Sequence, residues 1–151
     1  MPMPMLKLKP HHCALALALL AMSELSRAAP DMQAPEAAVA VAAGKITLVD
    51  IRTPPEWKET GVAKGAVLIN MLHPQGAPGF ASALLEKVNG DRNAPIALIC
   101  RTGNRTTQVQ RYLQSVGFSQ VYNVKEGMAG SSGGPGWLKR RLPVDTCTTQ
   151  C

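Results

Sequence analysis

The most constraining feature of this chain is an apolar run that leads directly into a cysteine-containing loop and then an amphipathic segment. Residues 95–99 predict a short strand with both faces buried. Apolar residues then recur at helical spacing, at Val109, Tyr112, Leu113 and Val116. Between them lie Cys100, Arg101, Thr102, Gly103, Asn104 and Arg105. Backbone amides of such a loop, at the N-terminus of a helix, form a cradle for a small anion.

Cys100 is the candidate nucleophile, because a positive field favours the thiolate and the thiolate is the reactive form of cysteine. Arg101 and Arg105 are candidates for stabilising an anionic donor. Gly103 predicts a close backbone approach or a positive φ, and Thr102 and Asn104 contribute backbone N–H groups. Two other interpretations stay open. Cys100 can be a buried structural cysteine, and Arg105 can clamp the loop to a carboxylate such as Asp50 or Glu56.

The length of the loop separates two classes of enzyme. Protein tyrosine phosphatases carry five residues between cysteine and arginine, whereas four separate Cys100 from Arg105, and Thr106 stands at the phosphatase arginine position. The pattern Cys-Arg-x-Gly-x-Arg instead resembles the active-site loop of the single-domain rhodaneses, which are thiosulfate sulfurtransferase-like proteins. In that family the ring of amides holds one extra sulfur on the cysteine as a persulfide.

Further segments carry the same resemblance. They are Leu48 to Arg52 with Glu56 and Trp57, residues 61–66, residues 121–130, Gly136 with Trp137, and Leu142 with Pro143. The chain departs from the family at Val62, where many members have histidine. The resemblance implies an α/β, three-layer domain with a mostly parallel central sheet and helices on both faces. Alternation of short strands and helices predicts the same architecture, with ligands bound beyond the carboxyl ends of the strands, where Cys100 lies.

The resemblance implies a sulfurtransferase that moves a sulfane sulfur from a small anionic donor such as thiosulfate. The sulfur would pass through a persulfide on Cys100 to cyanide, a thiol or a protein acceptor, without a cofactor. Asp50, Arg52 and Glu56 are expected to support the site structurally. Two alternatives remain: a persulfide carrier or partner-binding module without turnover, and a phosphatase or arsenate reductase.

The N-terminus has the order of a secretory signal: basic residues, an apolar stretch of about ten residues and then small residues up to Ala28. We therefore expect a signal peptide at 1–28, a linker at 29–33, the rhodanese domain at 34–144 and a tail at 145–151. This organisation predicts a periplasmic or secreted bacterial protein. No segment is long enough to span a membrane as a helix.

Two cysteines close together in the tail, Cys147 and Cys151, can form a disulfide in an oxidising compartment. They can also accept sulfur from Cys100 or be incidental thiols of a frayed tail. No metal site is predicted, because the histidines are His11, His12 and His73 and no four-ligand pattern occurs.

The net charge of +6 fits either an ordinary basic surface or attraction of small anions. Nucleic-acid binding is not expected, because the basic residues are scattered and no aromatic platform accompanies them. The run Lys139 to Arg141 is interpreted as a solvated surface.

The patterns of apolar residues, glycines and prolines predict the remaining elements. They are a helix at 35–43, a strand at 46–51, a capped helix at 53–60, a strand at 66–70, a turn at 76–79, a helix at 80–88, a strand at 121–124 and a flexible loop at 131–136.

Overall fold

The computed structural model describes residues 30–149 and 151. The predicted signal peptide, residues 1–28, therefore lies outside the described residues. In order, the elements are α1 (Ala34–Ala42), β1 (Thr47–Asp50), α2 (Pro54–Thr60), β2 (Val62–Ala63), β3 (Val67–Leu68), α3 (Gly76–Lys87), β4 (Ile96–Ile99), α4 (Asn104–Ser115), β5 (Val121–Asn123) and β6 (Val144–Asp145). No helix in the described part of the chain is both long and apolar enough to cross a bilayer.

A four-stranded parallel sheet in the order β3-β1-β4-β5 forms the centre of the molecule. All four residues of β4 are buried, as expected for a central strand covered on both faces. Phe80 and Leu84 of α3 pack with Leu113 of α4 on one face. Ala37 of α1 and Trp137 pack on the other. This arrangement confirms the three-layer α/β architecture and places Cys100 at the carboxyl end of a buried strand.

One local prediction is wrong, and one strand was not predicted. Residues 76–79 are not a separate turn but the first turn of α3, which begins at Gly76. Pro78 fits there because the first turn of a helix has no intrahelical partner for a backbone N–H. Residues 62–63 form β2, which the sequence did not predict, because its antiparallel partner is β6, far along the chain.

The stretch predicted to be a linker belongs to the fold from residue 30 onward. Met32 is buried, and its N–H donates to the Asn123 carbonyl over 2.9 Å. Asp31 forms a bridge to the same residue, parallel to β5. Local composition does not reveal this pairing, because the partner strand lies far away in sequence.

The carboxylate of Glu126 joins three distant segments of the chain. It accepts hydrogen bonds from the backbone N–H groups of Ala34 and Gly136, each at 2.8 Å, and from Arg140 Nε at 2.7 Å. Burial works against ionisation, but these hydrogen bonds outweigh it and hold the pKa of Glu126 below its ordinary value. Glu126 therefore fixes the start of α1 and the loop before Trp137 relative to each other.

Replacing Glu126 with alanine should lower the free energy of unfolding by about 3 kcal/mol, because two buried amides and Arg140 lose their acceptor. Urea unfolding of both proteins measures this difference. Glu86→Ala, at an exposed position of α3, is the matched control and should change stability little. Equal effects of the two substitutions would contradict the role of Glu126.

Candidate active site

The thiol of Cys100 lies inside the loop that connects β4 to α4. The backbone N–H of Gly103 donates to Cys100 Sγ over 3.1 Å. The hydroxyl of Thr106 lies 3.6 Å from the same sulfur. Cys100 is 1% exposed. One polar group of the loop and one of the first turn of α4 thus lie at the sulfur, and both are of a kind that can stabilise a sulfur anion.

Gly103 makes this geometry possible. It precedes the first residue of α4 and has a φ of +86°, in the left-handed region that favours glycine. A Cβ at this position would overlap the carbonyl group of Lys125. Gly127 has the same relation to the other side of the loop, since a Cβ there would overlap the Arg101 carbonyl. The loop and residues 125–129 therefore pack backbone against backbone.

Hydrogen bonds hold these two segments together. The N–H of Met128 donates to the Cys100 carbonyl over 2.8 Å, and the N–H of Ala129 donates to the Arg101 carbonyl over 2.9 Å. The Cys100 carbonyl is thereby fixed from outside the loop.

Thr106 lies beside the sulfur, a role that was not predicted from the sequence. The sequence indicated only that this position, where a phosphatase has arginine, is a threonine. It is fully buried, and its hydroxyl donates to the Gly103 carbonyl over 2.9 Å. A hydroxyl has a single hydrogen. In this geometry it accepts from a neutral Cys100 thiol, whereas rotation of the hydroxyl would let it donate to a sulfur anion. The sequence feature that could have identified Thr106 is its position in the first turn of the helix that follows the cysteine.

Arg105 points toward α2 and forms a bidentate ion pair with Glu56. Its Nη1 lies 2.8 Å from Glu56 Oε2 and its Nη2 lies 2.5 Å from Glu56 Oε1. The hydrogen bond from Arg105 lowers the pKa of Glu56 from 4.5 to about 2 against the effect of burial, and hydrogen bonds from Thr53 contribute. Glu56 also accepts the Thr53 N–H, which caps α2. Arg105 could either stabilise an anionic donor or clamp the loop to a carboxylate. The structure shows the clamp, with Glu56 as the carboxylate.

Asp50 and Arg52 form a buried ion pair behind this clamp, with 2.7 Å between Asp50 Oδ2 and an Arg52 guanidinium nitrogen. Arg52 also donates to Thr60 Oγ1 at 2.8 Å and to the Gly61 carbonyl at 2.9 Å. The pair ties the carboxyl end of β1 to the end of α2. The carboxylate of Asp50 is therefore occupied by Arg52.

The other loop residues form the outer rim. Arg101 and Asn104 are exposed, and Thr102 is partly buried. Arg101 has no ion pair within residues 30–149. Because Arg105 is held by Glu56, Arg101 is the loop cation that faces solvent.

The tail cysteines lie in a cluster separate from that of Cys100. The structure pairs Cys147 with Cys151, and Cys147 packs against Trp57 and Val62. Cys100 is the free cysteine of the described region. Within that region, no group of three metal-ligating side chains comes together.

The ion pair between Glu56 and Arg105 predicts a pH dependence of stability. Because the pKa of Glu56 is lowered in the folded protein, its contribution is present above pH 4.5 and is lost as the pH falls toward about 2. Wild type should exceed Glu56→Gln by about 1–2 kcal/mol near neutral pH, after allowance for partial exposure. Urea unfolding across acidic pH measures the gap, which should close on acidification.

Glu59→Gln, at an exposed position on the same helix, is the control and should show no such closing gap. A gap between wild type and Glu56→Gln that stays constant with pH would contradict the proposed ionic character of the clamp.

Comparison with known proteins places the chain in a family. Residues 33–132 match the rhodanese-like domain family. The uncharacterized protein RP600 of Rickettsia prowazekii is 30% identical over 100 residues, which cover 64% of this chain and 80% of that protein.

Two solved structures share the fold. Rv0390 from M. tuberculosis has 25% identity and a TM-score of 0.60, with 79% of this chain and 98% of that chain covered. A polysulfide-sulfur transferase from Wolinella succinogenes has 24% identity and a TM-score of 0.58, with coverages of 80% and 81%. Since the family match covers more than half of the sequence and includes the whole Cys100 loop, this chain belongs to the rhodanese-like domain family.

Proposed function

We propose that the protein is a sulfurtransferase that carries a sulfane sulfur as a persulfide on Cys100. The observation that carries the proposal is the Gly103 N–H directed at Cys100 Sγ over 3.1 Å, within a loop only four residues long between Cys100 and Arg105. A ring of this size suits one sulfur atom, and its amide is already oriented toward the position where negative charge resides.

In the first half-reaction, the Cys100 thiolate attacks the outer sulfur of an anionic donor such as thiosulfate. A new S–S bond forms at Cys100, the S–S bond of the donor breaks, and its electron pair leaves with sulfite. Gly103 N–H and the Thr106 hydroxyl stabilise the sulfur, and the exposed charge of Arg101 attracts the donor.

In the second half-reaction, a thiophilic acceptor attacks the outer sulfur of the persulfide and the electron pair of the broken bond returns to Cys100 Sγ. The low exposure of Cys100 gives the persulfide a clear use. Its outer sulfur, the atom to be transferred, lies one S–S bond of about 2 Å from Sγ.

The position of Arg105 disfavours phosphatase chemistry. A phosphoryl group needs a free guanidinium on its oxygens, but Arg105 is held by Glu56 and Thr106 occupies the following position. The carrier alternative uses the same persulfide and differs only in lacking turnover with a free donor and acceptor.

Replacing Cys100 with alanine should abolish persulfide formation and reduce sulfur transfer from thiosulfate to cyanide by about 10³-fold or more, because the nucleophile is lost. Sulfite release and a mass increase of one sulfur atom measure the two events. The double variant Cys147→Ser with Cys151→Ser is the control and should retain both.

Appreciable transfer by Cys100→Ala would reject the proposal. A persulfide that forms only from a partner protein, without turnover of free thiosulfate, would assign the chain to the carriers. Hydrolysis of an aryl phosphate at a rate exceeding sulfur transfer would assign it to phosphatase chemistry.

We also propose that the protein is exported, on the basis of its N-terminal sequence alone. Expression of the full sequence in a Gram-negative host should then yield a periplasmic form that lacks about the first 28 residues. Intact mass of the periplasmic and cytoplasmic fractions measures this, and an uncleaved chain confined to the cytoplasm would contradict it.

A further inference from the structure

A broad groove with basic residues lies beside the Cys100 loop. It has a volume of about 690 Å³ and is formed by residues of the 129–135 segment together with Lys139 and Arg140. The function proposed above makes no use of it.

The groove borders the outer side of the Cys100 loop. Ala129 is one of its lining residues, and the Ala129 N–H donates to the carbonyl of Arg101, the residue after Cys100. The preceding residue, Met128, holds the Cys100 carbonyl through its own N–H. A molecule seated in the groove is therefore adjacent to the loop from which sulfur would be delivered.

The charged residues that line the groove are all basic. Among the lining residues, Lys139 is exposed and forms no ion pair in the described part of the chain; Arg101, also exposed and without an ion pair there, belongs to the adjoining Cys100 loop. Arg140 is paired with the buried Glu126. No acidic side chain lines the groove, so this surface attracts negative charge.

The size of the groove distinguishes between possible occupants. Its volume lies in the range of sites that hold ligands much larger than thiosulfate. The Cys100 loop itself suits a small anion, since the Gly103 N–H already donates to the sulfur there. The lining is dominated by small residues, which let a polypeptide segment approach the main chain closely. Size, lining and charge together favour an acidic segment of another protein.

We propose that this groove docks the protein that accepts sulfur, through acidic side chains that flank the acceptor cysteine; the proposal rests on the sulfurtransferase function. In the docked complex the acceptor thiolate attacks the outer sulfur of the Cys100 persulfide. An S–S bond forms on the acceptor, the S–S bond at Cys100 breaks, and the electron pair returns to Cys100 as thiolate. The sulfur atom is transferred without an external oxidant or reductant.

The test measures loading and unloading of the full-length protein separately. Persulfide is loaded from thiosulfate and followed by mass and sulfite release, and is then transferred to one of two synthetic cysteine peptides, one with acidic and one with neutral flanking residues. Lys139→Glu is compared with wild type, with the charge-preserving Lys139→Arg and with Lys87→Glu. Lys87 is exposed in the last turn of α3, on the opposite face of the sheet.

Lys139→Glu should lower the second-order rate constant for the acidic peptide by about fivefold or more, since reversal of a surface charge acts mainly on association. Lys139→Arg and Lys87→Glu should resemble wild type. Loading, the neutral peptide and cyanide should be unaffected, and the difference between peptides should shrink at high ionic strength.

Equal rates for Lys139→Glu and Lys87→Glu with the acidic peptide would overturn the docking proposal. So would a loss in Lys139→Glu that is the same for acidic peptide, neutral peptide and cyanide, since that indicates a damaged loop. A raised KM for thiosulfate, with unloading unchanged, would assign the groove to the donor. Absence of loading in wild type, from thiosulfate and from a persulfide-bearing partner alike, would instead overturn the sulfurtransferase function itself.

Discussion

The site depends on a close approach of two stretches of main chain. The loop after β4 and residues 125–129 come together without intervening side chains, because Gly103 and Gly127 have none to place between them. This contact directs the Gly103 N–H toward Cys100 Sγ and lets the amides of Met128 and Ala129 hold the loop from outside. A side chain at either glycine would force the segments apart, and the donor at the sulfur would be displaced with them.

The two arginines of the loop differ in their contacts. Arg105 is fixed by Glu56, a residue that also caps α2, so the loop, the helix and their charges form a single unit. Behind it, the Asp50–Arg52 pair ties β1 to the end of α2. Arg101, which has no ion pair in the described region, faces solvent next to the groove formed by residues 129–135. The paired arginine thus holds the loop in shape, while the unpaired one is available to attract anions.

The C-terminal part of the domain contributes as much to the site as the loop does. Glu126 gathers the start of α1, Gly136 and Arg140 around one buried carboxylate. Since the same segment continues into Met128 and Ala129, its position also sets the position of the loop. The groove that we propose for the acceptor is bounded by this segment, so support of the Cys100 loop and the proposed docking surface share one structural element.

The sequence by itself determined the parts of the protein that depend on neighbours along the chain. The buried strand at 96–99, the loop from Cys100 to Arg105, the helix behind it and the Thr53–Glu56 capping box all follow from local patterns. Tertiary structure decided which carboxylate pairs with Arg105, that Thr106 lies beside the sulfur, that β2 pairs with β6, and that residues 30–33 belong to the fold. These outcomes join residues far apart in sequence or depend on the direction in which a side chain points. No periodicity encodes such contacts, because they arise only when the sheet brings the carboxyl ends of its strands together.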